Sequence, residues 1–163
     1  MKRGIVLEIP GFGTLDLRTM VSDYTGTLSC GGRMAPEVKR RLARLAELID
    51  IHILTADTFG TAERELENAP VVLHLLGPAA QDIQKMEYVK RCDPRHVAAA
   101  GNGNNDRLLL KTVKEAGGLA MAVDNGEGCA IETIRNANLF IASAGNALDL
   151  LLEPKRLKAT LRF

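Results

Sequence analysis

The chain has no tryptophan, and only 4% of its 163 residues are aromatic. Proteins that bind single-stranded nucleic acid without sequence preference stack its bases on aromatic side chains, so this composition argues against that function. An excess of charge of one sign is also missing, because 21 lysines and arginines stand against 20 acidic residues. The sequence therefore shows no electrostatic footprint for nucleic acid or for a membrane surface.

Cysteine is scarce as well, and Cys30, Cys92 and Cys129 are widely spaced with no CxxC pair. Reduced thiols are the expectation, since disulfide frameworks and zinc sites need paired cysteines. No apolar run is long enough to span a bilayer, and the first residues lack the apolar centre of a signal peptide. We expect a soluble, cytoplasmic protein, and the length fits one domain over residues 1–163.

Short apolar runs alternate with helical patterns from about residue 17 onward. The sequence predicts one strand that ends at Asp23 and further strands at 51–54, 71–76, 96–100, 119–123 and 139–141. It predicts helices at 38–49, 59–67, 81–91, 108–116, 128–136 and 147–152. This alternation is typical of right-handed βαβ units, in which helices cover both faces of a parallel sheet. The predicted fold is α/β, a Rossmann-like three-layer parallel sheet.

Two segments lie outside this alternation. Residues 5–9, the turn Pro10–Gly13 and the alternating residues 15–18 predict an N-terminal β-hairpin, which we expect to extend an edge of the sheet. At the other end, Pro154 opens a basic tail.

An apolar run ends at Asp23, and the tight turn Thr25-Gly26-Thr27 follows it. A buried strand that delivers a carboxylate to its own end is a common way to fix a nucleophile. The alternative is an aspartate that merely caps a turn. The backbone N–H groups of the turn, at Gly26 and Thr27 in particular, can bind phosphate oxygens.

Three further residues fall at strand ends or helix starts. Thr55 ends the second predicted strand, Lys85 lies near the start of a helix, and Asp106 lies in the glycine- and asparagine-rich loop 101–106. Ligands gather at the carboxyl ends of parallel strands, so we expect these residues to meet Asp23 there. Lys90 lies roughly 7 Å further along the helix, which favours Lys85.

Each of these residue types has a use in phosphoryl transfer. A carboxylate can attack phosphorus, and a magnesium ion held by Asp23 and Asp106 would bring the anionic substrate to it. Thr55 can hydrogen-bond a phosphate oxygen, and Lys85 can offset negative charge. The loop 101–106 has a simpler reading as a turn with a helix cap.

The three histidines have no partner at metal-ligand spacing, so we interpret them as core or strand-end residues and not as metal ligands. They are His52, His74 and His96.

Together, Asp23–Leu28, Leu54–Asp57, Lys85 and Gly101–Asp106 resemble the four motifs of the haloacid dehalogenase-like superfamily. The nearest pattern is that of the phosphorylation domain of P-type ATPases, with motifs DKTGTLT, TGD and GDGxND, and of their soluble, stand-alone relatives. The resemblance covers nearly the whole chain. It implies a magnesium-dependent phosphatase in which Asp23 is phosphorylated, with Thr25, Asn102 and Asp106 completing the metal site. It also matches Asn105 to a phosphate-binding asparagine and Asp57 to the TGD aspartate.

Two positions depart from the superfamily pattern. Asn102 stands where many relatives have an aspartate, which removes one negative charge from the metal site. Thr25 stands where most phosphatases have a second aspartate that protonates the leaving group. A hydroxyl is a poor acid or base near neutral pH, so we expect a slow phosphatase with a long-lived aspartyl phosphate. The alternative is a regulatory or binding module that retains the fold with negligible turnover.

The segments 25–55 and 55–85 each have room for only one helix and one strand. Cap domains of the superfamily are inserted there, so the resemblance implies a member with no cap domain. An open site suits a large phosphorylated substrate. Alternatively, a second copy of the chain in a homo-oligomer covers the site.

A two-component receiver also uses aspartate, lysine, threonine and magnesium, but it is disfavoured because its phosphorylated aspartate follows the third strand.

Overall fold

The structure is a computed structural model that describes residues 1–163. The chain begins with an antiparallel hairpin of β1 (Ile5–Ile9) and β2 (Gly13–Leu17), which forms a two-stranded sheet of its own. The hairpin prediction is confirmed, but the expectation that it extends an edge of the main sheet is wrong. The two strands of the hairpin pair only with each other, and the strand that follows them lies inside the main sheet with a neighbour on each side.

The main sheet has six parallel strands in the order β5-β4-β3-β6-β7-β8, which confirms the predicted Rossmann-like α/β fold. The strands are β3 (Thr19–Asp23), β4 (Asp50–Thr55), β5 (Val72–Leu75), β6 (Val97–Gly101), β7 (Leu119–Val123) and β8 (Leu139–Ile141). Strands β6 and β7 are buried along their whole length, as expected of central parallel strands covered on both faces.

Helices cover both faces of this sheet. They are α1 (Pro36–Ala46), α2 (Ala62–Glu65), α3 (Gln81–Arg91), α4 (Arg107–Ala116), α5 (Ile131–Arg135), α6 (Ala144–Leu152) and α7 (Pro154–Leu161). None of them is long and apolar enough to cross a membrane. Between β3 and β4 the chain forms only α1, and between β4 and α3 it forms only α2 and β5, so neither segment holds an inserted domain.

The alternation of side chains along each strand divides the core in two. On β3, Met20 belongs to a large cluster with α1, α6, α7 and the hairpin, whereas Val21 belongs to a smaller cluster with α3 and α4. Successive side chains of a strand point to opposite faces, so one strand feeds both layers. The result is the three-layer arrangement that the sequence predicts.

Several predicted boundaries differ from the structure. The basic tail is in fact helix α7, because Leu157 and Leu161 lie four residues apart and bury one face. Helix α6 begins at Ala144, since the Ser143 side chain caps it by accepting a hydrogen bond from the Asn146 amide at 3.1 Å. His96 ends a 3₁₀ turn that precedes β6.

Strand β5 is an edge strand of the main sheet. It pairs only with β4, and Val72 and Leu75 are about half exposed. Its uninterrupted apolar sequence is typical of a buried central strand, but a run of this kind does not show how many neighbours the strand has.

Candidate active site

Three strand ends meet at one edge of the main sheet. Because β3 lies between β4 and β6, Thr55 at the end of β4 and Gly101 at the end of β6 lie on either side of Asp23. The register pairs Asp23 with Leu54 and Ser22 with Ala100, so the three strands end almost level. This edge is where open parallel sheets bind ligands.

Lys85 joins two carboxylates at this edge. Its Nζ donates to Asp23 Oδ1 at 2.7 Å and to Asp106 Oδ1 at 2.6 Å. The Lys85 and Asp106 side chains are fully buried, and that of Asp23 is nearly so. Lys90 is exposed and pairs with Glu87. The structure therefore places one buried cation between two buried carboxylates.

The loop 101–106 wraps around the Asp106 carboxylate. Asp106 Oδ2 accepts hydrogen bonds from the backbone N–H groups of Asn102 and Gly103, each at 3.0 Å. A β-carbon at Gly101 would overlap the Asp106 side chain, so glycine is required for this close approach. These contacts and Lys85 hold the Asp106 side chain in place opposite Asp23.

The shared lysine leaves a surplus of negative charge. Burial, together with the neighbouring Asp106 carboxylate, raises the pKa of Asp23 to about 7, although Lys85 opposes the shift. Burial alone would lower the pKa of Lys85, but Asp106 and Asp23 raise it above its ordinary value. Lys85 thus stays charged, and ionisation of both carboxylates gives the cluster a net negative charge.

Asn102 ties three loops together. Its Oδ1 lies 3.0 Å from the Thr27 hydroxyl, which also lies 3.3 Å from Asp23 Oδ2. Its Nδ2 donates to the Gly128 carbonyl at 3.2 Å. A β-carbon at Gly26 would overlap the Asn102 amide, which explains the glycine in this turn. Asn102 therefore contacts the turn after Asp23 directly.

Two threonine hydroxyls at the site remain able to donate. Thr25 Oγ1 is buried and has no hydrogen-bond partner. Thr55 Oγ1 accepts from the Asp57 backbone N–H at 2.9 Å, which leaves its own proton free. Asp57 in turn accepts from the backbone N–H groups of Thr61 and Ala62 and so fixes the start of α2.

Asn105 lies in the same loop but makes a different contact. Its Nδ2 donates to Gln81 Oε1 at 3.1 Å, at the first residue of α3. The structure therefore brings Asp23, Thr27, Thr55, Lys85, Asn102 and Asp106 together, whereas Asn105 holds the loop against the helix that carries Lys85.

One polar cluster was not predicted from the sequence. The Tyr88 hydroxyl contacts both His52 Nδ1 and His74 Nε2, on the face of the sheet that α3 covers. The spacing of apolar residues predicts Ile83 as an inward residue of α3, yet it is about half exposed. The face that meets the sheet instead presents Lys85 and Tyr88. These residues are three apart, a spacing that places both on one face of a helix, and this spacing is the signal that the sequence offered.

No family model matches the chain. An uncharacterized protein of Methanocaldococcus jannaschii is 41% identical over 78 residues, which cover 47% of this chain and 80% of that protein.

Solved structures with a similar fold are hydrolases of the haloacid dehalogenase (HAD) superfamily. The 3-deoxy-D-manno-octulosonate 8-phosphate phosphatase of Moraxella catarrhalis, in complex with magnesium, phosphate and KDO, has a TM-score of 0.67 and 14% identity, with 90% of this chain and 94% of that chain covered. The cobalt-bound phosphatase of Haemophilus influenzae has a TM-score of 0.66 and 12% identity, with the same coverage. A putative HAD family hydrolase of Streptomyces avermitilis has a TM-score of 0.65 and 16% identity, covering 85% and 87%.

At these identities the solved structures establish the fold, whereas the Methanocaldococcus jannaschii protein is related in sequence. The chain belongs to the same family as that protein, and its fold is that of the haloacid dehalogenase-like hydrolases.

Proposed function

We propose that the protein is a magnesium-dependent phosphohydrolase that cleaves phosphate monoesters through a phosphorylated Asp23. The observation that carries this proposal is the buried Lys85 ammonium between Asp23 and Asp106, at the sheet edge where ligands bind. The fold is shared with phosphatases that act on a phosphorylated sugar acid and bind magnesium or cobalt. The sequence of the turn after Asp23 supports placing the chain near the soluble relatives of P-type ATPases.

The residues present suit a magnesium ion. Two buried carboxylates share one ammonium group, so a further cation would offset the remaining charge. The Thr25 carbonyl accepts no hydrogen bond from the chain, which leaves it available as an oxygen ligand. Asp23, this carbonyl and Asp106 would hold the ion, with Asn102 beside them. When bound, magnesium supplies positive charge that lets an anionic substrate approach an anionic nucleophile.

The chain's own groups account for the two steps of the reaction. An Asp23 oxygen forms a bond to phosphorus as the bond from phosphorus to the ester oxygen breaks, and the leaving oxygen takes up a proton from solvent. Water next attacks the phosphorus of the aspartyl phosphate and releases inorganic phosphate and free Asp23. Lys85 and the Thr55 hydroxyl stabilise the charge on the phosphoryl oxygens.

The rate of both steps is limited by the residue at position 25. The buried Thr25 hydroxyl can hydrogen-bond the leaving oxygen or the attacking water, but it cannot exchange protons with them efficiently. Turnover is therefore slow, and the aspartyl phosphate is long-lived.

The decisive experiment is acid-quench trapping with a labelled aryl phosphate and magnesium. Wild-type protein is expected to retain acid-stable, hydroxylamine-sensitive label, and Asp23→Asn is expected to retain none. Asp93→Asn is a matched control, because Asp93 is an exposed carboxylate in a turn before β6. Label in Asp23→Asn, or none in wild type, would show that Asp23 is not the nucleophile.

A second candidate is a binding module that retains the fold but turns over negligibly. The hydroxyl at position 25 and the amide at position 102 favour it, since most phosphatases of the superfamily have an aspartate at the first position and many relatives have one at the second. Magnesium-dependent binding of a phosphate analogue such as beryllium fluoride, without measurable ester hydrolysis, would support this candidate. In either case the segments 25–55 and 55–85 leave the site without a cap, so cover from a second copy of the chain is proposed as well.

A further inference from the structure

Helix α3 carries Lys85 but buries little apolar surface. Lys85 and Val89 are its only buried residues, and Ala80 before it provides no side-chain cap. Burial of apolar surface is the main force that holds a helix on a sheet. Because α3 buries little apolar surface, this force holds it only weakly. The place of the Lys85 ammonium therefore depends on the polar contacts of this helix.

Those polar contacts divide along the helix. In the first turn, Asp82 pairs with Arg107 at 3.0 Å and Gln84 contacts the backbone before the helix. From α3 to the strands of the sheet there are only two sets of polar contacts. Lys85 reaches Asp23 on β3, and Tyr88, one turn further, reaches β4 and β5.

The Tyr88 hydroxyl lies between two imidazoles. It is 2.6 Å from His52 Nδ1 on β4 and 2.5 Å from His74 Nε2 on β5. The two rings are parallel within 4°, with centroids 6.1 Å apart. A hydroxyl has one proton to donate and can accept others, so it can donate to one neutral imidazole while it accepts from the other. Tyr88 thus holds three elements together through one oxygen.

The surroundings favour the neutral form of His52. Burial, and the proximity of His74, lower the pKa of His52. Asp50 and Lys2, which pair at 2.8 Å, lie near His52, and Arg91 stacks over the Tyr88 ring at 5.4 Å. Cys92, at the end of α3, is the remaining titratable group near Tyr88.

We propose that Tyr88, held between His52 and His74, is a positioning residue for Lys85. It fixes the rotation and depth of α3 on the sheet so that the ammonium group stands between Asp23 and Asp106. This inference rests on the proposed function for its consequence in catalysis, but the placement of Lys85 can be measured without any substrate.

The test compares wild type with Tyr88→Phe, which keeps the ring and removes only the hydroxyl. Hydrogen exchange of the α3 amides and NMR of carbon-13-labelled lysine, with Lys85 assigned from Lys85→Met, report on the helix and the ammonium group. We expect α3 exchange to rise about tenfold, as for loss of one hydrogen-bonded contact, and the Lys85 resonance to move. With an aryl phosphate, kcat should fall about tenfold while KM stays within about twofold, since a small misplacement of a catalytic group affects the reaction step.

Arg41→Met is the control for a general loss of stability. Arg41 makes two hydrogen bonds to Asp149, from α1 to α6, at 2.8 and 3.1 Å. This variant should weaken the protein yet leave α3 exchange and the Lys85 resonance unchanged. If Tyr88→Phe leaves both signals unchanged, or if Arg41→Met alters them equally, the positioning role is refuted. A wild type that hydrolyses no ester would refute the proposed function, while the exchange and NMR results would still decide the role of Tyr88.

Discussion

The ammonium nitrogen of Lys85 lies 2.7 Å from Asp23 Oδ1, and the lysine side chain is fully buried. A charged lysine is buried in this way only when it is paired, because desolvation of an isolated ammonium group is costly. Asp106 pairs with the same lysine, so the cluster has one negative charge in excess once Asp23 ionises, above about pH 7. The pH dependence of stability and the proposed metal binding are both argued from this imbalance.

Lys85→Met should destabilise the protein strongly in the presence of a chelator. At pH 8, where Asp23 is ionised in the wild type, removal of the cation leaves the Asp23 and Asp106 side chains buried without their partner, which costs about 3–5 kcal/mol of unfolding free energy. Magnesium should restore part of this loss, because it would neutralise the same carboxylates. Urea unfolding with chelator and with magnesium measures both effects.

Lys90→Met serves as the matched control for that variant. Lys90 is exposed on the same helix and pairs with Glu87, so its removal should change the stability by less than about 0.5 kcal/mol. Equal losses for the two lysine variants, or no response to magnesium in Lys85→Met, would contradict the prediction.

Asp23→Asn should alter the dependence of stability on pH. The pKa of Asp23 is about 7 in the folded protein against an ordinary value of 3.8, so the folded state holds this proton more tightly. That contribution is present at low pH and is lost as the pH rises through 7. In chelator, the variant should therefore be more stable than wild type at pH 8, on the order of a few kcal/mol, and nearly equal at pH 4.

Urea midpoints at the two pH values decide this prediction. A difference that is constant with pH, or a wild type that gains on the variant as the pH rises, would show that Asp23 ionises without penalty. Asp93→Asn, at an exposed site, should show no comparable trend.

Topology made most of the site predictable from the sequence. Parallel strands end at a common edge, so Asp23 and Thr55 could be placed together from the apolar runs alone. The rise of a helix distinguished Lys85 from Lys90, and the structure places them as buried and exposed respectively. The roles of these residues in catalysis stay predictions.

Features that depend on the number of neighbours of an element could not be predicted. The apolar sequence of β5 does not state that one side of this strand is open, and the hairpin does not state which surface it covers. Tyr88 was missed for a related reason. Its partners, His52 and His74, come from two strands separated from it in sequence, and no local pattern links them.

Asn102→Asp should strengthen magnesium binding. The Asn102 amide oxygen already faces Thr27, which also contacts Asp23, so a carboxylate there adds negative charge beside the proposed metal ligands. We expect the magnesium dissociation constant to fall about tenfold, the effect of roughly 1.4 kcal/mol. The variant also loses the hydrogen bond from the Asn102 side chain to the Gly128 carbonyl, and a loop weakened in this way opposes the gain in magnesium affinity.

Isothermal titration of magnesium measures the effect, and Asn104→Asp is the control. Asn104 is exposed in the same loop, so its variant tests whether any added charge on the loop suffices. If both variants bind magnesium equally well, or if Asn102→Asp binds no better than wild type, the side chain at position 102 does not contribute to the ion site.

Thr25→Asp should convert slow turnover into faster turnover. The Thr25 hydroxyl is buried without a partner, two residues after Asp23, and a carboxylate there would supply the proton exchange that a hydroxyl lacks. General acid–base catalysis is worth about 10²–10⁴-fold, and we expect the lower part of that range because the added charge lies close to Asp23. Thr25→Asn, which has the shape of aspartate but no acid, should remain as slow as wild type. Stopped-flow release of an aryl alcohol, combined with acid-quench trapping, would show the labelled protein disappearing faster in Thr25→Asp. An unchanged lifetime of the aspartyl phosphate would mean that position 25 does not limit its hydrolysis.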